Sequence, residues 1–121
     1  MTKPLALIVE DDPRLSDIFS VALRSIDFET EIAADGKVAI SRLTEIVPTI
    51  VLLDLNLPGA SGHEVLKSIR ADERLSKTRV ILTTADAAFA DMIHDEADFV
   101  FLKPISPSQL RELASRLREA S

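Results

Sequence analysis

Apolar residues along this chain alternate between two patterns. Five short runs read as strands: Leu5 to Val9, Thr30 to Ala34, Ile50 to Leu53, Arg79 to Thr83 and Phe99 to Leu102. The segments between them have helical spacing. Leu15, Ile18, Phe19, Ala22, Leu23 and Ile26 recur at the i, i+3, i+4 spacing of one face, which predicts a helix from Pro13 with that stripe inward. A second helix is predicted from Gly36 to about Glu45 on Val38, Ala39, Ile40 and Leu43. It stops ahead of Pro48, because the residue before a proline avoids helical backbone. A third carries Val65, Leu66 and Ile69. The last carries Leu110, Leu113, Ala114 and Leu117, with Ser106 as N-cap and Pro107 at its first position. The fourth, around Ala87 to Asp95, is short and weakly patterned, and its Phe89, Met92 and Ile93 are read as core.

Strand and helix alternating five times imply a parallel sheet covered by helices on both faces. The run IVLL, apolar throughout, fits a strand buried on both sides, whereas the mixed TEIAA suits an edge. Ligands of such open sheets bind outside the carboxyl ends of the strands. Those ends are therefore where chemistry is expected.

Composition narrows the picture. A chain of 121 residues fits one domain, spanning 1–121. No cysteine is present, which removes disulfides and thiolate metal sites and fits a reducing compartment. Ahead of the acids at 10–12 the apolar stretch Leu5 to Val9 is too short for a signal peptide or a bilayer span, so a cytoplasmic protein without membrane attachment is expected. Twenty acids against fourteen Lys and Arg give a net charge of −6, which repels phosphate backbones. The expectation is no direct nucleic-acid binding.

The strand ends collect Glu10, Asp11 and Asp12 after the first strand, Asp54 after the third, Thr83 and Thr84 at the fourth, and Lys103 after the fifth. Two like charges about 4 Å apart repel by roughly 4 kcal/mol at an effective dielectric near 20. A protonated carboxyl offsets that repulsion, but a hard divalent cation with oxygen ligands is the favoured answer, because carboxylates with a loop carbonyl suit Mg²⁺. Asp54 as nucleophile beside a lysine cation and a hydroxyl then makes a site for a transferred phosphoryl group. Taken alone, Asp12 also reads as the cap of the first helix. His63 and His94 lack a nearby partner at ligand spacing and are read as surface or helix residues.

In their order and separations, LIVEDD, LLDLNLPGASG, LTTAD and FLKP make the whole chain resemble a response-regulator receiver domain of the single-domain chemotaxis type. The resemblance implies a doubly wound (βα)5 fold, flavodoxin-like, with strand order 2-1-3-4-5. It implies Asp54 as phosphoacceptor, with Mg²⁺ held by Glu10 (through water), Asp11, Asp54 and the backbone carbonyl of Asn56. Thr84 followed by Ala85 matches the family's switch hydroxyl, leaving Thr83 as a packing residue, and Lys103 followed by a cis Pro104 matches its lysine. Asn56 and Asp86 fall where similar proteins tune the lifetime of the phosphoryl group. The implied partners are a sensor histidine kinase or phosphotransfer protein, and a downstream protein reading the face of helix four, strand five and helix five. Such a protein is no enzyme beyond its own phosphorylation and dephosphorylation.

The sequence also departs from the family. Val100 stands three residues before Lys103, where similar domains carry Tyr or Phe, and alternation places Phe99 and Phe101 on the opposite face. The Thr84 to Lys103 segment is about one turn short, with Glu96-Ala97 where Gly-Ala is common, so a shortened fourth helix is expected. These departures keep open a pseudo-receiver acting as a phosphorylation-independent binding module. A hydrolase of the haloacid dehalogenase type fits less well, because Asn56 stands where its second acid would. A flavodoxin-like flavin carrier lacks Trp, Tyr and a phosphate loop here.

Overall fold

The computed structural model of the chain describes residues 3–120, apart from the side chains of 93, 94 and 120. Strands β1 (Leu5–Val9), β2 (Glu29–Ala33), β3 (Ile50–Asp54), β4 (Arg79–Thr84) and β5 (Phe99–Leu102) alternate with helices α1 (Pro13–Arg24), α2 (Gly36–Leu43), α3 (Gly62–Ala71), α4 (Ala87–Ile93) and α5 (Pro107–Ala120). The strands pair in parallel in the order β2-β1-β3-β4-β5, the flavodoxin-like order expected. The order reverses between β1 and β3, so a crevice opens at their carboxyl ends.

Alternation along the central strands divides the core in two. Leu7, Val9, Val51, Leu53, Val80 and Leu82 pack under Ala39 and Leu43 of α2 and Val65, Leu66 and Ile69 of α3. On the other face, Ala6, Ile8, Leu52 and Ile81 pack under Phe19 and Leu23 of α1 and Leu110 and Leu113 of α5. Each fully buried Leu or Ile adds about 1.5–3 kcal/mol from the water it leaves. The central sheet is thereby a rigid base for whatever its strand ends carry. β2 and β5 form the two edges, and each mixes exposed with partly buried positions.

Asp12, Asp35 and Ser61 cap α1, α2 and α3 by accepting from Arg14, Val38 and Glu64 N–H at 2.9, 2.8 and 3.2 Å. Ser106 caps α5 as expected, accepting from Gln109 N–H at 3.4 Å. A side-chain cap contributes about 1 kcal/mol.

Several details differ from the sequence reading. On α1 the predicted stripe faces the core at Leu15, Phe19, Ala22, Leu23 and Ile26, but Ile18 points outward, and Ser16 and Ser20 are buried beside Phe19 and Leu23. Small serines let the helix approach the sheet, and the Ser20 and Thr30 hydroxyls bond across the gap at 2.6 Å. β2 begins at Glu29 and ends at Ala33, α2 ends at Leu43, and β3 and β4 run on through Asp54 and Thr84. Asp54 and Thr84 are thus the last residues of their strands. α4 is short, as expected, and a 3-10 turn at His94–Glu96 follows it. Its apolar residues do not all form core: Met92 is 80% and Phe89 37% exposed, because among its described side chains so short a helix buries only Ala90. The side chains of Ile93 and His94 lie outside the described residues.

Candidate functional site

β1 and β3 run side by side, so the residues that end them meet. Glu10 follows β1 and is buried, Asp54 ends β3 and is buried, and Asp11 is exposed at the rim. One carboxylate oxygen from each of the three falls within a sphere of contact where all lie within 4.8 Å of one another. Asp12 caps α1 and is not among these three. Two further groups converge on Asp54. Its Oδ1 accepts from the Asn56 N–H at 3.0 Å, and its Oδ2 accepts from Lys103 Nζ at 3.0 Å. Lys103 Nζ lies 3.7 Å from Glu10 Oε1.

The turn after β3 is held close by glycine. A Cβ at Gly62 would lie 2.5 Å from the Asp54 carbonyl oxygen, so only glycine lets α3 start against the acceptor's backbone. Lys103 is positioned by the β4–β5 ladder, which its N–H extends by donating to Thr84 O at 2.8 Å, and the Lys103–Pro104 peptide is cis.

Electrostatics set Glu10 apart. Burial pushes its carboxyl up from 4.5 to about 7; the Asp12 N–H and Lys103 pull the other way, and the Asp54 charge adds to the rise. Burial lowers Lys103, but the hydrogen bond and charge of Asp54, with Glu10, outweigh it, so its ammonium is held above the usual lysine range. Glu10 Oε1 is buried without a hydrogen-bond partner. A buried acceptor left unmatched costs about 1–3 kcal/mol, and more when charged. Three carboxylates at this spacing, one of which has an orphaned oxygen, fit a hard divalent cation.

Thr84, Asp86 and Val100 stand outside this cluster. The buried Thr84 hydroxyl accepts from the Asp86 N–H at 3.0 Å rather than reaching Asp54. Thr83 pairs with Asp54 in register and is buried in the sheet. Val100 packs on the α2/α3 side of the core, and a cleft of about 220 Å³ between α4 and β5 is lined by Ala87, Ala90, Asp91, Val100 and Leu102. Phe99 and Phe101 face the other way, their ring centroids 5.2 Å apart, as alternation required. His63 is a helix residue as expected, but its partners were missed. It donates to Glu96 across more than thirty positions of sequence, a pairing with no local signal.

Sequence and structure comparisons agree with this geometry. The response regulator receiver domain model matches residues 6–115. The DNA-binding response regulator MtrA of Mycolicibacterium smegmatis is 36% identical over 115 residues, covering 93% of this chain and 48% of that protein. Response regulator TrrA from Thermotoga maritima, solved in complex with Mg²⁺-BeF, is 27% identical at a TM-score of 0.83, covering 94% of this chain and 98% of its own. The chemotaxis response regulator CheY4 of Vibrio cholerae shares the fold at 24% identity and a TM-score of 0.87, covering 96% of this chain and 99% of its own. The chain spans about half the length of the curated relatives it matches.

One expectation is overturned. Acidic charge argued against nucleic-acid contact, yet MtrA carries a matching segment and is DNA-binding. Net charge over the matched segment does not report on the other half of such a protein. The phosphorylation-independent alternative gains no support, since the acids and lysine are assembled around Asp54. Among the described residues no helix is long and apolar enough to cross a membrane.

Proposed function

The chain belongs to the response regulator receiver domain family, a part of two-component signalling and no classical enzyme family, and on that footing we propose that Asp54 accepts a phosphoryl group from a histidine kinase or phosphotransfer protein. The observation that carries this is the pairing of a buried Asp54 with Lys103 Nζ at 3.0 Å beside the orphaned Glu10 oxygen. A carboxylate so placed is oriented and still has lone pairs to attack with.

In the proposed reaction an Asp54 carboxylate oxygen attacks the phosphorus of a phosphohistidine. The oxygen–phosphorus bond forms, the phosphorus–nitrogen bond breaks with its electron pair going to nitrogen, and the ring, already protonated on its other nitrogen, leaves as neutral imidazole. Lys103 moves from neutralising Asp54 to neutralising the phosphoryl oxygens. Asn56 N–H fixes the carboxylate plane. Glu10, Asp11, Asp54 and the Asn56 carbonyl would hold Mg²⁺, which supplies further charge neutralisation when bound. Asn56 and Asp86 would set the lifetime of the acyl phosphate. Thr84 would turn its hydroxyl to the phosphoryl oxygens, and the face of α4, β5 and α5 would present the result to a downstream protein. On this reading the protein works in the cytoplasm, where a histidine kinase presents its phosphoryl group, and catalyses only its own phosphorylation and dephosphorylation.

The test is mass spectrometry after Mg²⁺ and a small phosphodonor, together with beryllium fluoride binding. Wild type gains one phosphoryl group and Asp54→Asn gains none. A wild-type chain unaltered in mass and spectrum by donor and metal rules the reading out, and hydrolysis of external phosphate esters would point to a phosphatase instead.

A further inference from the structure

α4 is short, mostly exposed and lacks an aromatic side chain at position 100 to tie it to the sheet, yet two sets of contacts hold it. The first comes from the strand below. Asp86 N–H donates to Thr84 Oγ1 at 3.0 Å, and Asp86 Oδ1 accepts from Phe89 N–H at 3.1 Å, which caps the helix. Any turn of the Thr84 hydroxyl toward another partner takes away the bond that places Asp86. Asp86 in turn places Phe89.

The second comes from α3. The Phe89 ring meets the His63 ring edge-on, with centroids 6.3 Å apart and planes at 89°. Such T-shaped pairs are attractive beyond their area. His63 Nε2 also donates to Glu96 Oε2 at 3.1 Å, which reaches the 3-10 turn on the far side of α4. Arg70, two turns further along α3, donates to Glu96 O at 2.8 Å. His63 follows directly on Gly62, whose missing side chain seats α3 on the Asp54 backbone. It is therefore a post fixed to the acceptor strand, touching α4 at its start and the turn at its end.

We propose that His63 is a positioning residue that latches α4 and the 94–96 turn to α3 in the unphosphorylated protein, through Phe89 and Glu96, and that Thr84 releases the latch by giving up Asp86. The inference rests on the phosphoacceptor reading for its trigger but not for the latch itself. Because the contacts belong to the resting arrangement, removing them shifts the population toward the released one. A ligand that favours the released state must then bind more tightly, by linkage.

The experiment uses the full chain as wild type, His63→Ala, Phe89→Leu and Glu96→Gln. Amide exchange of 87–96 without metal or phosphoryl mimic reads the latch, and beryllium fluoride titration with Mg²⁺ reads the coupling. Exchange across 87–96 accelerates in all three variants while that of β1, β3 and α5 stays unchanged, and beryllium fluoride affinity rises on the order of two- to tenfold. The double variant His63→Ala with Phe89→Leu gains little over His63→Ala alone, since Phe89 acts through His63. Unaltered exchange overturns the latch. Equal or weaker affinity with faster exchange overturns its role in switching, because mere structural damage weakens binding. Should wild type fail to bind beryllium fluoride at all, the phosphoacceptor reading fails, and the exchange arm alone then upholds or overturns the latch.

Discussion

Asp98, ahead of β5 at the amino end of the sheet, and Glu10, after β1 at its carboxyl end, are both carboxylates set against the strands, but the fold surrounds only one of them with donors. Asp98 Oδ2 accepts from Val80 N–H at 2.7 Å and from Arg70 at 2.8 Å, and its Oδ1 accepts from Arg79 at 3.3 Å. Burial there raises the carboxyl, but the Val80 N–H and the two guanidinium groups outweigh it, and the net shift is down. Glu10 has a single N–H, from Asp12, and a neighbouring negative charge, and it is pushed up to about 7. One end of the sheet is built as a clamp. The other is left short of positive charge, and that shortage is where a cation and a phosphoryl group would enter.

The sharpest way to break the contrast is at Asp54. Asp54→Asn keeps volume and the Asn56 and strand contacts but removes the nucleophile, so phosphoryl uptake is lost entirely while far-UV circular dichroism stays native. Uptake that persists in the variant would move the acceptor elsewhere.

At the other end the effect is on stability and not on chemistry. Asp98→Ala strips the Val80 N–H and two guanidinium groups of their acceptor at once, which costs about 2–4 kcal/mol. Urea unfolding measures it, and the midpoint falls at unchanged slope, while phosphoryl uptake by the folded fraction matches wild type. A loss under 0.5 kcal/mol would mean the clamp is ornamental.

How far the chain could be read beforehand follows the same divide. The carboxyl-end cluster was legible because polar residues follow the apolar runs: strand boundaries gathered Glu10, Asp11, Asp12, Asp54, Thr83, Thr84 and Lys103 at one lip, and parallel order brings such ends together. The mixed β2 was legible as an edge in the same way, whereas the strand order and the choice of Thr84 over Thr83 came from the resemblance to receiver domains, and the short α4 rested on that resemblance and its weak pattern together. The amino-end clamp was not legible, because Arg70 and Asp98 are far apart in sequence and only the packing of α3 beside β5 joins them. The burial of Ser16 and Ser20 on α1 was missed because periodicity ranks apolar residues above small polar ones, whereas these serines fit the inner face by size. Met92 and Phe89 were read as core since composition cannot tell an inner from an outer face in so short a helix.

Glu10→Gln sharpens the contrast from the site's side. The amide fits the same space without charge, so the metal-free protein gains about 1 kcal/mol, while Mg²⁺ affinity falls about tenfold or more because a carboxylate near the ion is gone. Thermal melts with and without Mg²⁺ give both numbers, and their signs are opposite. Loss of stability without metal would show Glu10 to be satisfied after all.

The dependence on pH separates the two carboxylates by sign. Glu10 in the folded chain keeps its proton up to about pH 7, whereas the unfolded chain gives it up near 4.5. Between those values the folded state binds more protons, so the stability from protonated Glu10 is fully present below 4.5 and is lost as pH rises through 7. Asp98 runs the other way: its contribution is present above 3.8 and lost as pH falls through its lower folded value. Metal-free urea unfolding of wild type and Glu10→Gln from pH 4.5 to 8 reads this directly. Wild type loses ground to the variant as pH rises, with a slope of at most about 1.4 kcal/mol per unit, whereas the difference between wild type and Asp98→Ala stays level over that range. Saturating Mg²⁺ flattens the Glu10 slope, because the cation keeps the carboxylate ionised in place of the proton. If the metal-free difference for Glu10→Gln is also level, both ends of the sheet hold their carboxylates equally well, and the orphaned oxygen is no guide to where the chemistry lies.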